Sequence, residues 1–197
     1  FLYYGSPEGL GDGPDTSIST GAFGFGVSVS SAGDVNGDGY EDLVCGAANG
    51  NPPEVSLWLG GPDGPDAAPS QVFTGEGNFG ISTRGAGDIN GDGYADVVVG
   101  NPGEGSQEFV AYYGGPDGLS ADMSFSASGP QNFGLSVAGA GDLNGDGFGE
   151  VVVSAKDSAF VYYGSAEGLS EAAQVVLEGP SASQFGDSVA ALGDTNL

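Results

Sequence analysis

Short apolar runs separated by polar, glycine-rich turns dominate the chain. Three of these runs are five residues long and mostly β-branched or small, and they begin at Leu43, Val97 and Val151. Short β-branched runs that end in glycine or another small residue are typical of buried strands. An aromatic run follows each of them, beginning at Val55, Phe109 and Phe160. The pattern therefore predicts β-strands and no helix.

The whole pattern recurs at intervals of about 50 residues, as repeat proteins do. Each unit contains a Phe-Gly pair, an acidic loop, the β-branched run, the aromatic run ending in a turn of the Gly-Pro-Asp-Gly type, and a weaker apolar run. Four strands per unit of this length are typical of β-propeller blades. We predict an all-β fold of four-stranded antiparallel blades, three complete and two partial: outer strands of a partial blade at 1–24, complete blades at 25–78, 79–132 and 133–184, and the first strand and truncated acidic loop of a partial blade at 185–197.

The acidic loop has nine residues, and its three copies begin 54 residues apart at Asp34, Asp88 and Asp142. Oxygens at positions one, three, five and nine, with the carbonyl of position seven, can surround one hard cation. Glycines at positions four and six permit the coiling, because glycine adopts positive φ without steric cost. The chain has no histidine, and an all-oxygen set favours calcium over zinc or copper. We expect three Ca²⁺ sites, with these ligands: Asp34, Asn36, Asp38, the Tyr40 carbonyl and Asp42; Asp88, Asn90, Asp92, the Tyr94 carbonyl and Asp96; Asp142, Asn144, Asp146, the Phe148 carbonyl and Glu150.

Two other interpretations of the loop are available. An EF-hand loop is closed by a glutamate at position twelve, but that position holds Cys45, Val99 or Val153 here, so an EF-hand is excluded. A metal-free turn between two strands explains one Asp-Gly-rich loop seen alone. Three copies with all five ligand positions intact argue against that explanation.

These residues resemble FG-GAP repeats, the blades of the integrin α-subunit β-propeller and its bacterial relatives. The resemblance covers essentially the whole chain and implies a propeller with calcium in the loop between the first two strands of a blade. It also implies that the ion mainly stiffens the blade and is seldom catalytic. The Phe-Gly element lies at Phe25-Gly26, Phe79-Gly80, Phe133-Gly134 and Phe185-Gly186, and a degraded Gly-Ala-Pro element lies at Gly46-Ala47-Ala48, Gly100-Asn101-Pro102 and Ser154-Ala155-Lys156.

The chain is strongly acidic, with 27 acidic residues against two cations and a formal net charge of −25. A field of this sign disfavours nucleic acids and anionic membranes, which bind through Lys and Arg. It fits a secreted or cell-surface protein in a saline, calcium-containing environment, where salt screens self-repulsion beyond about 8 Å. No apolar stretch is long enough for a membrane-spanning helix.

Catalysis is not predicted. The absence of histidine excludes Ser-His-Asp and Cys-His nucleophiles and the HExxH zinc motif. The regularly spaced carboxylates, which could otherwise suit glycoside hydrolysis, are already assigned to metal. Cys45 and Trp58 are expected to be buried packing residues. Arg84 stands where other units have small residues on the strand expected to line the propeller axis, and a salt bridge is favoured for it over a ligand-binding role.

We therefore predict a non-catalytic, calcium-binding propeller module for extracellular protein interaction or adhesion. The alternative is a carbohydrate-binding propeller, a lectin, with equivalent sites between blades. The chain begins on an aromatic strand expected third in a blade and ends inside a fourth loop at Asp194-Thr195-Asn196-Leu197. Because an open sheet edge invites pairing, we expect a second copy in a homodimer, or residues outside this segment, to complete a ring of about six to eight blades.

Overall fold

The computed structural model describes residues 1–103 and 105–191. The described residues form an all-β fold without a helix, as the sequence pattern predicts. Three four-stranded antiparallel sheets each follow the order of the chain. Blade 1 comprises β3 (Ser28–Gly33), β4 (Asp42–Ala47), β5 (Glu54–Trp58) and β6 (Gln71–Thr74); blade 2 comprises β7 (Ser82–Gly87), β8 (Asp96–Asn101), β9 (Glu108–Tyr113) and β10 (Ser120–Ser128); blade 3 comprises β11 (Val137–Gly141), β12 (Glu150–Ala155), β13 (Ser158–Tyr162) and β14 (Val175–Glu178).

The second strand of each blade is the most deeply buried. All six residues of β8 are buried, and β4 and β12 each have five buried residues of six. Valine dominates β8 and β12, with three residues in each, because a β-branched side chain packs well on a pleated surface covered on both sides. The register is the same in all three blades: Leu43 pairs with Trp58, Val97 with Tyr112 and Val151 with Tyr162.

The blades pack face to face in the manner of a propeller, and the ring is not closed. Their first strands are neighbours, since β3 contacts β7 and β7 contacts β11. One apolar cluster fills the space between blades 1 and 2, and a second fills the space between blades 2 and 3. Consecutive blades therefore share a core, which an isolated blade does not have.

The glycines of the two sequence motifs bring neighbouring blades together. Gly46, at the end of β4, lies against the carbonyl oxygen of Gly80 in the Phe-Gly pair of blade 2, and a Cβ on Gly46 would overlap that oxygen. A Cβ on Gly80, which has φ of +84°, would lie 2.7 Å from Val55. Gly100 meets Gly134 in the same way between blades 2 and 3. The paired glycines permit a close backbone approach from one blade to the next.

Two blade faces lack a covering blade among the described residues. The front face of blade 3, formed by Ala140, Leu143, Val152, Ala159, Val161 and Leu177, borders a groove of about 710 Å³ whose other wall is residues 184–191. The back face of blade 1, formed by Phe25, Val29, Leu43 and Cys45, borders a groove of about 310 Å³ beside Phe1, Leu2 and Ile18. Leu143 is 56% exposed, whereas Val35 and Ile89 at the same loop position are fully buried by the following blade.

The segments outside the three blades are less regular than the sequence suggests. Residues 1–24 contain only two short paired strands, β1 (Gly5–Ser6) and β2 (Gly9–Leu10), and a single bridge between Leu2 and Thr16. Residues 185–191 form no strand in the described part of the chain. The predicted fourth acidic loop, at residues 194–197, lies outside the described residues.

The sequence makes separate predictions for Cys45, Trp58 and Arg84. The predicted burial of Cys45 and Trp58 is confirmed, and the Trp58 ring packs edge-on against Phe25 at 5.6 Å. Arg84 is exposed on β7, and its Nη1 donates to the Thr83 carbonyl at 2.7 Å. Within the described part of the chain, that backbone contact replaces the expected salt bridge.

Candidate metal-binding loops

The three acidic loops occupy the same place in each blade, between the first strand and the second. The loop from Asp34 connects β3 to β4, the loop from Asp88 connects β7 to β8, and the loop from Asp142 connects β11 to β12. The ninth residue of each loop is also the first residue of the second strand. The sheet therefore holds one end of every candidate ligand set.

The first aspartate organises the loop through backbone amides. Asp34 accepts from the N–H of Asp38 at 3.0 Å and from that of Gly39 at 2.8 Å, and Asp88 and Asp142 do the same in their loops. Hydrogen bonds from backbone amides, that of Gly147 foremost, hold the pKa of Asp142 below its ordinary value. Each first carboxylate thus lies at the centre of its coil, and that of Asp142 is held in its charged form.

The third and fifth residues meet in every loop. The amide of Asn36 donates to Asp38 Oδ2 at 2.9 Å, and its Oδ1 accepts from the Asp38 N–H at 3.1 Å. Asn90 with Asp92, and Asn144 with Asp146, repeat this pair at 2.9 and 2.8 Å. The glycines at positions four and six have positive φ, +74° and +90° in the first loop. The structure therefore brings the predicted ligands at positions one, three and five to one side of a tight coil.

The ninth residue of the first two loops binds two backbone amides. Asp42 accepts from the N–H of Val35 at 2.8 Å and from that of Gly60 at 2.7 Å. Asp96 accepts from Ile89 at 2.7 Å and from Gly114 at 2.8 Å. Burial raises the pKa of both side chains despite these amides, and that of Asp96 reaches about 7. Each of these aspartates ties its loop to the turn that follows the third strand.

Glu150 behaves differently in the third loop. Its Oε2 accepts from the Leu143 N–H, but its buried Oε1 has no hydrogen-bond partner. Burial is the main cause that raises the pKa of this carboxyl. Asp142, Asp146 and Glu150 each place a carboxylate oxygen within 4.8 Å of the others, and among the described residues this is the one acidic cluster of that kind.

The donor sets fit a hard divalent cation. Every predicted ligand offers oxygen, the arrangement that suits calcium or magnesium rather than zinc or copper. The orphaned Oε1 of Glu150 is a buried acceptor that a cation would satisfy. Each loop contains residues that can hold such an ion. The side chains at positions one, three and five have the same arrangement in all three loops.

Consecutive loops also contact one another. The N–H of Ala95, in the second loop, donates to the Asp34 carbonyl at 3.0 Å, and the N–H of Gly149, in the third, donates to the Asp88 carbonyl at 2.8 Å. The Tyr94 ring lies so close to Gly37 that a Cβ there would come within 2.8 Å of it, and Phe148 lies against Gly91 in the same way. The glycine at position four recurs in every loop, and in the first two loops a ring from the next loop packs against it. The recurrence is visible in the sequence, but the contact that explains it is visible only in the structure.

A polar groove of about 550 Å³ lies between the outer parts of blades 1 and 2. Its wall combines the carboxylates of Glu76 and Glu108 with Asn101, Ser106 and the half-buried Tyr112. Asn101 Nδ2 donates to Glu108 Oε1 at 3.1 Å, and its Oδ1 accepts from the Asn78 N–H. The groove offers several oxygen acceptors beside an aromatic ring.

Comparison with known proteins agrees with the blade geometry. Residues 34–99 and 88–153 match the family described as FG-GAP-like repeat. Integrin alpha-5 of Xenopus laevis is 41% identical over 86 residues, which are 39% of this chain and 8% of that protein. Integrin alpha-6 of Gallus gallus is 29% identical over 160 residues, 72% of this chain and 14% of that protein. Integrin alpha-7 of Homo sapiens is 32% identical over 152 residues, 71% of this chain and 13% of that protein.

These relatives are much longer than the segments that align with this chain. The chain spans 8 to 14% of the length of the integrin subunits it matches. The described residues include no helix that is apolar and long enough to cross a bilayer.

Proposed function

The chain belongs to the FG-GAP-like repeat family, and from that premise we propose that it is a non-catalytic, calcium-binding propeller module that serves extracellular protein interaction or adhesion. One observation carries the proposal: three acidic loops with the same internal hydrogen bonds recur between the first and second strands of three consecutive blades. In each blade, residues one, three, five and nine of the loop and the carbonyl of residue seven would hold the ion.

Calcium would supply positive charge where carboxylates are crowded at the edge of each blade. The loop residues themselves set the coil, because Asp34 and its counterparts are already held by two backbone amides. A bound ion would fix the side chains of positions three and five, which otherwise rest on each other. The proposed role is structural, since the loops contact their neighbours and stiffening one coil supports the adjacent blade.

Calcium dependence of stability tests this proposal. At free calcium about 100 times the dissociation constant, each site adds about 2.7 kcal/mol to the free energy of unfolding. We expect chelation to lower the melting temperature and added calcium to restore it. Asp88→Ala should remove most of one site's effect, whereas Asp117→Ala, an equal charge change in an exposed turn, should not. A melting temperature indifferent to both chelator and calcium would refute the proposal.

The partner we propose for the open blade faces is a second copy of the chain. The back face of blade 2 covers the front face of blade 1, and the back face of blade 3 covers the front face of blade 2. Among the described residues, no blade covers the front face of blade 3 or the back face of blade 1, although residues 1–25 lie against part of the latter. Two copies can therefore form two identical front-to-back interfaces, which close a ring with two-fold symmetry.

Two adjacent residues of β14 provide a matched test of the dimer. Leu177 and Val176 are each 48% exposed, and neighbours on a strand point to opposite faces. Leu177 borders the front-face groove. We expect Leu177→Glu to abolish a dimer measured by sedimentation in calcium and Val176→Glu to leave it intact. A monomeric wild-type mass would refute the dimer without affecting the calcium sites.

Carbohydrate binding is the second candidate function, and the groove between blades 1 and 2 is the observation that favours it. Its carboxylates and amide could accept hydrogen bonds from sugar hydroxyls, and Tyr112 could pack on a sugar ring. Binding on a glycan array that is lost in Tyr112→Ala would support this function. An array without hits would leave protein interaction as the remaining candidate function.

A secreted or cell-surface location is also part of the proposal, in a saline medium. The net charge of −25 falls to about −19 with three calcium ions, so salt screening would still be needed to limit repulsion. We expect stability to rise from low to physiological sodium chloride. A stability independent of salt would count against a saline environment.

A further inference from the structure

Four Asn-Gly pairs occur in the chain, and three of them lie in the acidic loops. The pairs are Asn36-Gly37, Asn49-Gly50, Asn90-Gly91 and Asn144-Gly145. Asparagine is a thermolabile residue, and a following glycine makes it more reactive because no Cβ shields the glycine nitrogen. That nitrogen can attack the asparagine side chain and release ammonia, a reaction known as deamidation. By sequence alone the four pairs are equivalent.

The hydrogen bond of the glycine N–H separates the four pairs. In three of them the N–H has an acceptor: Gly91 donates to Asp88 Oδ1 at 2.6 Å, Gly145 to Asp142 Oδ1 at 2.6 Å and Gly50 to the Ala47 carbonyl at 2.9 Å. In the first loop, Asp34 accepts instead from the N–H groups of Asp38 and Gly39. The exposed Gly37 has no acceptor for its N–H among the described residues. Its nitrogen can therefore turn toward the asparagine without breaking a hydrogen bond.

We propose that Asn36 is a site of spontaneous deamidation, with the Gly37 nitrogen as the nucleophile. That nitrogen forms a bond to Cγ of Asn36, and the bond between Cγ and Nδ2 breaks. The proton of the Gly37 N–H leaves with Nδ2 as ammonia, and a succinimide ring remains. Water then opens the ring at either of its carbonyls, which gives aspartate or isoaspartate. The reaction needs no oxidant, reductant or cofactor.

Other features of the loops would rank the asparagines differently. A ring of the next loop packs on both Gly37 and Gly91, so this cover does not distinguish the first two loops. Exposure alone would rank Asn144 first, because it is exposed whereas Asn36 and Asn90 are half-buried. The assignment to Asn36 therefore depends on the glycine hydrogen bond, and a comparison of the pairs within one protein tests it.

Either product alters the third position of the first loop. The Asn36 amide donates to Asp38 Oδ2 at 2.9 Å, and an aspartate there would instead face that oxygen with a second carboxylate. Isoaspartate adds a carbon to the backbone of the coil and shifts Asp38, whose N–H donates to Asp34 at 3.0 Å. Deamidation is therefore expected to loosen the first loop as the protein ages.

Calcium would slow the reaction, and this part of the inference rests on the calcium sites proposed above. Ring closure requires the Asn36 side chain to leave Asp38, whose N–H donates to Asn36 Oδ1 at 3.1 Å. An ion bound by Oδ1 would hold the same oxygen in place. If only the ion-free loop reacts, free calcium at about 100 times the dissociation constant slows deamidation about 100-fold.

Peptide mapping by mass spectrometry on the full, folded chain tests the assignment. The protein is incubated in chelator, and the four Asn-Gly peptides are followed for the mass gain that accompanies replacement of an amide by an acid. A hydrogen bond to a carboxylate slows a step that must break it by at least about tenfold, and one to a carbonyl by a few-fold. We therefore expect Asn36 to react at least about tenfold faster than Asn90 and Asn144, and a few-fold faster than Asn49.

Two controls connect the rates to the fold and to the residue. In denaturant the four pairs should react at similar rates, because the glycine hydrogen bonds are lost. Asn36→Gln keeps the amide but cannot close the same ring, so its peptide should show no gain in mass. Prolonged incubation in chelator should lower the melting temperature of the wild type and leave that of Asn36→Gln nearly unchanged.

The outcomes separate the deamidation site from the calcium proposal. Equal rates at the four pairs in the folded chain, a faster reaction at Asn144, or an unreactive Asn36 would each overturn the assignment. Fast reaction at Asn36 that calcium does not slow would support the deamidation site and refute an ion in the first loop. Fast reaction in chelator and slow reaction in calcium would support both.

Discussion

Truncating the second residue of each acidic loop gives the sharpest test of how the blades pack. Val35, Ile89 and Leu143 occupy the same position, but the following blade buries the first two completely and leaves Leu143 56% exposed. Ile89 belongs to the core cluster between blades 2 and 3. We therefore compare Ile89→Ala with Leu143→Ala, two truncations that each remove three carbon atoms.

The expected magnitudes follow from burial. Three buried carbons represent about 2.4 kcal/mol of transfer free energy at about 0.8 kcal/mol each. A cavity between two rigid blades adds to this, and measured Ile→Ala changes in cores range over about 2–5 kcal/mol, so we expect about 3.5 kcal/mol for Ile89→Ala. Leu143 loses less than half of the transfer term and leaves no enclosed cavity, so we expect about 1 kcal/mol or less for the monomer.

Thermal unfolding in saturating calcium measures the difference. For a chain of this size, about 3.5 kcal/mol corresponds to a fall of about 7–14 °C in melting temperature, and about 1 kcal/mol to about 2–4 °C. The proposed dimer predicts that the effect of Leu143→Ala grows with protein concentration while that of Ile89→Ala does not. Equal effects at low concentration would refute the assignment of Leu143 to an open face and Ile89 to a covered one.

Three further predictions concern the blade contacts, the loop contacts and the thiol. Gly100→Ala should destabilise by about 1–3 kcal/mol, because its Cβ would overlap the Gly134 carbonyl, whereas Gly13→Ala, with open space around it, should be neutral in chemical denaturation. Phe148→Ala should weaken calcium binding in the preceding loop several-fold, because its ring packs on Gly91; unchanged titrations would contradict the loop contact. The Cys45 thiol is buried, and burial raises its pKa to about 11 from an ordinary 9.0. Its reaction with a disulfide reagent at pH 8 should therefore need unfolding and accelerate in chelator. Because the folded-state pKa is the higher one, the stability that this thiol contributes is full below about pH 9 and declines up to about pH 11, which denaturation against pH checks with Cys45→Ala as the control.

Most of the blade architecture could be predicted from the sequence because the repeat removes ambiguity. A single run such as that of β8 suits a buried helix segment or a strand, but three copies beside Asp-Gly turns indicate a strand. The front of the chain differs, because an aromatic run like those of β5 and β9 forms an isolated bridge there, at Leu2. Strand formation there depends on a second strand to pair with, and local sequence does not report the partner.

The candidate site was predictable in composition but not in its finer roles. Spacing alone identified the loop residues, since alternate side chains on a tight coil face one side. It could not show that Gly60 and Gly114 donate to the ninth aspartates, because these amides lie 18 residues away. Nor could it show that one methylene leaves Glu150 Oε1 without a partner. Both features depend on how the third strand returns beside the loop.

The contacts between loops suggest why the Phe-Gly pair, the acidic loop and the glycine at the end of the second strand occur together. The glycine pairs set the blade-to-blade spacing at one end of the second strand, through Gly46 against Gly80. The loops set it at the other end, through Ala95 to the Asp34 carbonyl and Tyr94 against Gly37. In a repeat protein, stability divides between units and the interfaces that join them. A loop stiffened by an ion would therefore strengthen its own blade and also the interface that the next blade builds on it.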